Sequence, residues 1–328
     1  MKKSTKQKMI LVIALLLVII LLAIFVKYNN NISTSLYENL NIDNSKLNIF
    51  YLDVGQADST LIMVDGYTML IDAGNDSDGY YITEFLKSQH VNKIDYFIIT
   101  HFDEDHMGGA YKILEELDIG VLYMPNNSSK TQIYQTFIDA INRNNINADK
   151  SLVASKDTQY SLGNATWKVL NINGDNLNDS SIVVELSYKD TKYLFMGDAT
   201  TNVETKIDWD KIDVLKVGHH GSNTSTSQYF LDRVKPKYAI ISVGANSNYN
   251  FPAEEIIDRL LDNNITIYRT DRDNTIWLTS DGITIDINSL RYNLDGKGRK
   301  HANIFERKYS LLSFCDYNPH NMIQAIIF

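Results

Sequence analysis

The segment Thr100–Gly109, with the sequence THFDEDHMGG, places four potential metal ligands within six residues: His101, Asp103, Asp105 and His106. It directly follows the apolar run Tyr96–Ile99. A strand that ends in such a cluster brings imidazoles and carboxylates together on one tight loop. This ligand set suits a divalent ion such as zinc or manganese. The alternative interpretation is a solvated acidic turn with two incidental histidines, and the rest of the chain argues against it.

Three further segments put a ligand type at the end of an apolar run. Asp72 follows Leu70-Ile71, Asp198 follows Leu194–Gly197, and the pair His219-His220 follows Leu215–Gly218. Four of the seven histidines therefore fall in two short loops, which chance rarely produces. Glycines beside the histidine pair allow the backbone to approach a ligand closely.

The elements that must position these residues alternate between strand-like runs and helical spacing from residue 47 to residue 288. Apolar runs predict strands, and spacings of three and four predict helices. Two similar halves, each with strands and then a helix, predict an α/β domain of two sheets packed face to face with helices outside. The tail, residues 289–328, has no periodicity and receives no role. The predicted strands are Leu47–Leu52, Ser59–Val64, Tyr67–Ile71, Tyr96–Ile99, Thr166–Ile172, Ser181–Tyr188, Lys192–Met196, Val214–Val217, Tyr238–Val243, Ile265–Tyr268, Thr275–Thr279 and Ile283–Ile287.

An apolar run of 18 residues, Met9–Val26, lies behind four lysines at the N-terminus. At about 1.5 Å per residue it would span roughly 27 Å, enough for the hydrocarbon core of a bilayer. It is longer than the usual apolar region of a signal peptide, and no Ala-x-Ala-like cleavage pattern follows it. Residues 1–28 are therefore predicted to form an uncleaved signal anchor, a single pass through the cell membrane. The Asn- and Ser-rich segment 29–46 would tether an extracytoplasmic domain.

The charge balance restricts the partners of that domain. The first 28 residues hold five lysines and no acids, so residues 29–328 carry 26 basic and 40 acidic residues and a formal charge of −14. Such a domain lacks the positive electrostatic potential that drives non-specific binding of phosphates. Bound divalent ions would offset its negative charge locally. The single cysteine, Cys315, excludes an intrachain disulfide and a cysteine-based zinc knuckle. The sequence indicates no protein partner.

The order of these motifs resembles a known family. Asp72-Ala-Gly, then His-x-Asp-x-Asp-His-x-Gly-Gly, then Gly-Asp198, then His-His-Gly-Ser is similar to the metallo-β-lactamase fold. More narrowly, the chain resembles the metallo-hydrolase domain of the ComEC competence proteins. Asp53–Ser59, with the sequence DVGQADS, is similar to that family's opening Asp-Val-Gly-Gln-Gly-Asp-Ser. The resemblance covers about residues 47–287 and implies a four-layer αββα fold with two mixed sheets and one or two bound Zn or Mn ions.

The resemblance also implies roles for the ligands. Asp105 and His106, with one histidine of the 219/220 pair, are similar to the ligands of the second metal. Asp198 resembles the carboxylate that bridges both metals. His101 would serve the first metal together with Asp103, which stands where the wider superfamily has a histidine. Whether His219 or His220 is the ligand stays open.

Two departures from the pattern concern the first metal and the substrate. The superfamily histidine expected after the middle strands is absent, and the segment there reads Asn178–Ser181. The first site would then hold its metal weakly, or Asp179 would substitute. Phe251 precedes Pro252 where the ComEC pattern usually has a histidine. Asp72 is interpreted as an anchor for the motif loop rather than a ligand.

The chemistry that the resemblance implies is hydrolysis by metal-activated water, with Asp105 or Asp103 orienting that water. A carboxylate-rich site for paired ions favours phosphodiester substrates, such as DNA or a wall polymer. Two alternatives remain open. One is an esterase acting on phosphorylcholine-decorated or similar envelope polymers, and the other is a non-catalytic accessory or binding module on a degenerate metallo-β-lactamase scaffold.

Overall fold

The computed structural model describes residues 13, 15–21, 40, 42–149, 152, 158–245 and 249–290. Most of the predicted anchor and tether and nearly all of the predicted tail lie outside these residues. Within them, no helix has both the length and the apolar character needed to cross a membrane. The last described strand ends at Leu290, two residues past the predicted domain boundary.

The first sheet has eight strands in the described part of the chain, in the order β15-β14-β1-β2-β3-β4-β5-β6. Strands β3 to β6 run parallel to one another, and the other neighbours are antiparallel, so the sheet is mixed. The strands are Leu47–Tyr51 (β1), Thr60–Val64 (β2), Tyr67–Ile71 (β3), Lys93–Ile98 (β4), Asp118–Tyr123 (β5), Ala148–Asp149 (β6), Thr275–Ser280 (β14) and Ile285–Leu290 (β15).

The second sheet has seven strands among the described residues, in the order β13-β12-β11-β10-β9-β8-β7. Strands β10 to β13 are parallel, and β7 to β10 are antiparallel neighbours. The strands are Tyr160–Leu162 (β7), Ala165–Asn171 (β8), Val183–Tyr188 (β9), Thr191–Phe195 (β10), Val214–Lys216 (β11), Tyr238–Ile241 (β12) and Thr266–Arg269 (β13).

Helices cover the outer faces of both sheets. Apolar spacing in the sequence predicts helices at Tyr80–Gln89, Tyr111–Leu117, Tyr134–Arg143, Ser227–Arg233 and Ala253–Asn263, and the structure has a helix at each of these places. The α-helices of the described domain are Gly79–Ser88 (α1), Glu104–Met107 (α2), Ala110–Glu116 (α3), Gln132–Arg143 (α4), Thr201–Glu204 (α5), Gln228–Val234 (α6), Glu254–Asp262 (α7) and Thr270–Asp273 (α8), with 3₁₀ turns at Asp76–Asp78, Asn178–Ser180 and Gly218–Gly221.

Three buried clusters show that the layers are stacked in the order helix, sheet, sheet, helix. In β1, Leu47, Ile49 and Tyr51 join the core between the sheets, whereas Phe50 joins the core beneath the first helical layer. This is the period-two alternation of a strand that is covered on both faces. A third cluster, which includes Phe230 and Leu260, lies between the second sheet and its helices. The predicted αββα arrangement with two mixed sheets is confirmed.

The motif loops of both sheets lie together at one edge of the packed sheets, where parallel strands end. The segment after β4 is joined to the second sheet by the amide of Ile182, which donates to the carbonyl of Thr100 at 2.9 Å. The amide of Asp58 donates to the carbonyl of Asp105 at 3.0 Å, and that of Ala73 to His106 at 2.7 Å. These backbone bonds hold the loops after β1, β3 and β4 in one cluster.

Candidate metal centre

The carboxylate of Asp198 lies in the middle of the histidines that the sequence singled out. Its Oδ1 is 3.2 Å from His106 Nε2 and 3.8 Å from His220 Nε2. Its Oδ2 is 3.6 Å from His219 Nε2 and 3.8 Å from His101 Nε2. Each oxygen therefore faces two imidazole nitrogens, at separations similar to those between donor atoms that share one ion.

One further aspartate accompanies each pair of histidines. Asp103 Oδ2 is 3.4 Å from His101 Nε2, and Asp105 Oδ2 is 3.2 Å from His220 Nε2. The side chain of Asp103 is 41% exposed and that of Asp105 is 29% exposed, whereas Asp198 is buried. The two outer carboxylates thus lie at the mouth of the cluster, and the shared carboxylate lies at its base. Groups able to hold a metal include His101, His106 and Asp198, and also Asp105, His106 and His220.

Hydrogen bonds at Nδ1 fix the orientation of three rings. His220 Nδ1 donates to the carbonyl of Ser242 at 2.9 Å, and His106 Nδ1 to Asp72 Oδ2 at 2.8 Å. The hydroxyl of Thr100 donates to Asp72 at 2.8 Å, so its oxygen accepts from His101 Nδ1 at 3.1 Å. In the neutral ring with its proton on Nδ1, which is the form that binds a metal, Nε2 presents a lone pair to the centre of the cluster.

The atoms that face one another at this centre have no hydrogen bond within the described residues. They are Nε2 of His101, His106 and His220, and Oδ1 of Asp198, and all are buried. Buried polar atoms are normally hydrogen-bonded, because leaving one unsatisfied costs about 1–3 kcal/mol. Buried donor atoms grouped in this way fit one or two divalent ions, which would take up their lone pairs.

Backbone strain splays the two adjacent histidines. His219 and His220 both adopt the left-handed conformation, with φ of 50° and 53°. This conformation costs about 1–2 kcal/mol for a residue with a Cβ and collects at functional sites. The amide of His219 donates to the carbonyl of Gly197 at 3.0 Å, which ties the pair to the loop that carries Asp198.

The glycines after His106 permit a close approach of two motif loops. A Cβ on Gly109 would lie 2.3 Å from the carbonyl oxygen of Ala73, and one on Gly108 would lie 2.4 Å from the amide nitrogen of Asp76. Any side chain at these positions would push the segment that carries His106 away from the one that carries Asp72.

The electrostatic field of the cluster keeps its carboxylates ionised. Burial disfavours the charged form of Asp198, but His106 and His220 outweigh it and hold its pKa well below the usual range. Burial likewise acts against Asp105, yet His106 and His220 lower its pKa to about 2. The same carboxylates raise the pKa of His106 well above its ordinary value, although burial opposes this. A bound cation would replace these mutual charges.

A buried ion pair beneath the cluster was not predicted. Lys216 Nζ lies 2.7 Å from Asp58 Oδ2, and both side chains are almost fully buried. Asp58 Oδ1 is 3.6 Å from His220 Nδ1, so this pair supports the metal-facing histidine from behind. The sequence signal that could have predicted this pair is the single lysine, Lys216, within the apolar run of β11. Burial opposes ionisation of Asp58, but the Lys216 ammonium lowers the pKa of that carboxyl.

Asp179 does not take the place of the missing histidine. Its Oδ1 accepts from the amide and the hydroxyl of Thr200, at 3.2 Å and 2.6 Å. Its Oδ2 accepts from the side chains of Asn176 and Asn202, at 2.9 Å and 3.2 Å. These four bonds occupy the carboxylate, which supports the loop after Asp198. Its predicted role as a metal ligand is therefore corrected to a structural one, whereas the anchoring role predicted for Asp72 is the one observed.

Comparison with known proteins agrees with this geometry. The sequence model of the metallo-beta-lactamase superfamily matches residues 52–131 and 174–245. The chain is 28% identical to ComE operon protein 3 of Bacillus subtilis over 200 residues, which are 58% of this chain and 25% of that protein. It is 32% identical to Recombination protein 2 of Haemophilus influenzae over 218 residues, 64% of this chain and 26% of that protein.

A third relative is Competence protein ComA of Neisseria gonorrhoeae, which is 27% identical over 225 residues, 67% of this chain and 30% of that protein. The chain thus spans about a quarter to a third of the length of the curated relatives it matches. The matched family segments contain every residue of the Asp198 cluster. The chain carries a metallo-beta-lactamase superfamily domain of the ComEC type, which is the scaffold of a metal-dependent hydrolase.

Proposed function

We propose that this chain hydrolyses phosphodiesters with two divalent ions that share the carboxylate of Asp198. The observation that carries the proposal is the division of donors around that carboxylate, with two imidazoles and one aspartate on each side. Carboxylate oxygens favour hard ions such as manganese, and mixed nitrogen and oxygen sets also suit zinc. Paired ions form the clamp used for in-line displacement at phosphorus.

Both histidines of the 219/220 pair have a place in this arrangement. His101, Asp103 and His219 would hold the first ion with Asp198 Oδ2. His106, Asp105 and His220 would hold the second with Oδ1. His219 would thereby supply the imidazole that the middle strands lack, so the first site needs no ligand from residues 178–181.

When bound, the ions would lower the pKa of a coordinated water toward neutrality and polarise the phosphoryl oxygen under attack. The protein's own groups would control the approach of that water. Asp103 and Asp105 are the exposed members of the cluster, so they meet solvent first. Because its pKa is low, the Asp105 carboxylate stays ionised. It can accept a hydrogen bond from the water, but it is a weak general base. Its role would be to orient the water.

The supporting residues favour an enzyme over a degenerate binding module. Buried nitrogens without hydrogen-bond partners destabilise the metal-free fold. Their presence at the centre of the cluster therefore supports a site that binds metal over a scaffold that has lost this ability. The membrane anchor and the extracytoplasmic placement of the domain stay predictions from the sequence. A polymer substrate at the cell envelope, whether DNA or a phosphodiester wall polymer, would agree with them.

The test is metal content and hydrolysis by the full chain. The parent protein, loaded with zinc or manganese and dialysed, should hold close to two ions and hydrolyse bis-p-nitrophenyl phosphate. Asp198→Ala should lose both properties. Asp190→Ala, at an exposed turn between β9 and β10, is the matched control and should keep them. A parent that binds no metal, or an Asp198→Ala variant as active as the parent, would refute the proposal.

A further inference from the structure

A row of aromatic rings leads from the metal centre to solvent. The ring of Phe251 packs edge-to-face on His219, with centroids 5.7 Å apart and planes at 65°. The ring of Tyr249 stacks on Phe251, again at 5.7 Å but with planes only 16° apart. Tyr249 is 68% exposed. We call Tyr249 and Phe251 the aromatic platform.

The platform is fastened to the loop that carries the paired histidines. The amide of Ala253 donates to the carbonyl of Gly221 at 2.9 Å. Gly221 has a φ of +80°, and a Cβ there would lie 2.5 Å from the Cβ of Pro252. Phe251 also packs on the buried cluster beneath the second helical layer. The distance between the platform and His219 is thus set by contacts of Pro252 and Ala253, the two residues after Phe251, with Gly221.

We infer that the aromatic platform binds a nucleobase of the substrate, next to the phosphodiester at the metal centre. This inference rests on the proposed function, because it adds a specificity subsite to that reaction. The ring centroids of His219 and Phe251, and those of Phe251 and Tyr249, are each 5.7 Å apart, so the platform lies directly beside the metal centre. A base that stacks on Tyr249 would extend the existing row of rings.

The near-parallel geometry selects a planar ligand. Aromatic sites for quaternary ammonium groups enclose the cation with rings on several sides, whereas two parallel rings offer one flat face. The domain is acidic, so the affinity for an anionic strand has to come from its bases. Residues 29–328 carry a formal charge of −14, so the domain gains little from the phosphate backbone. Stacking does not depend on net charge, and it accepts every base.

Binding of two non-cleavable probes to the full chain tests the inference. One is a fluorescein-labelled phosphorothioate tetrathymidylate, and the other is its abasic counterpart with the same backbone. The parent should bind the first about 5- to 150-fold more tightly, the range that corresponds to one stacked base. Tyr249→Ala should remove most of this difference, whereas Tyr249→Phe should retain it. Tyr67→Ala is the matched control, since Tyr67 is half exposed and begins β3, whose opposite end leads to the metal centre.

Equal binding of the two probes by the parent, or an undiminished difference in Tyr249→Ala, would overturn the inference. So would displacement of the tetrathymidylate by phosphorylcholine but not by thymidine monophosphate, which would assign the platform to a quaternary ammonium group. Base-dependent binding that is lost in Tyr249→Ala would support the platform even in a parent that does not hydrolyse bis-p-nitrophenyl phosphate. That combination would reject the proposed function alone.

Discussion

His219 and His220 are neighbours in the chain, yet their Nε2 atoms approach opposite oxygens of the Asp198 carboxylate. His219 is 3.6 Å from Oδ2, and His220 is 3.8 Å from Oδ1. The left-handed backbone at both residues makes this divergence possible, because regular strand or helix geometry would not direct adjacent side chains in this way. The strained backbone at the pair therefore accompanies the placement of one imidazole beside each oxygen of Asp198.

Single replacements of these histidines should remove one ion each. His219→Ala should empty the first site and His220→Ala the second, so each variant should hold about one ion per chain instead of two. Metal content after dialysis, measured by plasma mass spectrometry, checks this. His90→Asn, at an exposed turn that follows α1, should hold the parental amount. If His219→Ala kept both ions, the assignment of His219 to the first site would be wrong.

Asp72 is expected to govern metal affinity without touching the ion. It receives hydrogen bonds from His106 and from the amide and hydroxyl of Thr100, and through Thr100 it also orients His101. Loss of such a supporting carboxylate typically weakens metal binding 10- to 100-fold. Asp72→Asn should show a fall of about this size in competition with a fluorescent chelator. Asp190→Asn should match the parent, and an unchanged affinity in Asp72→Asn would exclude the anchoring role.

Breaking the buried pair of Lys216 and Asp58 should destabilise the fold. Lys216→Met leaves the Asp58 carboxylate buried without its cation, which typically costs about 3–5 kcal/mol of unfolding free energy. Adding Asp58→Asn to Lys216→Met should recover part of this loss, because the uncompensated charge is then removed. Urea unfolding with a chelator present separates the effect from metal binding. A double variant less stable than Lys216→Met would contradict this account.

The stability of the domain should respond to pH through Asp78. Burial raises the pKa of Asp78 from 3.8 to about 6, against hydrogen bonds from Asn75 that lower it. Between pH 3.8 and 6 the native state holds a proton that the unfolded chain has released. The stability that this proton contributes is therefore complete below pH 3.8 and is lost as the pH rises through 6. Asp78→Asn should consequently stabilise the protein by about 3 kcal/mol at pH 8 and leave it unchanged near pH 4.

Urea unfolding at both pH values measures this difference. Asp65→Asn serves as the control, since Asp65 accepts a hydrogen bond from the amide of Asn164 at an exposed turn. A gain of similar size at both pH values would show that the carboxyl of Asp78 does not titrate as described.

The sequence predicted the layers and most of the centre because local patterns carry that information. Strands buried on both faces read as apolar runs, and the loops after them carried the ligands. Strand β5 was missed because its sequence, DIGVLY, has a polar start and a glycine, and its identity depends on pairing with β4. The pairing of Lys216 with Asp58 joins residues 158 positions apart, which no local pattern reveals. The structural role of Asp179 depends likewise on the placement of Thr200 and Asn202.

The division of the ligands between the two sheets has a consequence for the molecule as a whole. His101, Asp103, Asp105 and His106 follow a strand of the first sheet, whereas Asp198, His219 and His220 follow strands of the second. Each sheet by itself offers only part of the ligand set. Packing of the two sheets holds both parts close together and so raises their effective concentration around a metal. Metal binding and sheet docking thus reinforce each other. A mutation in the apolar interface, at Tyr51 or Phe195, would loosen the chelate without touching any ligand.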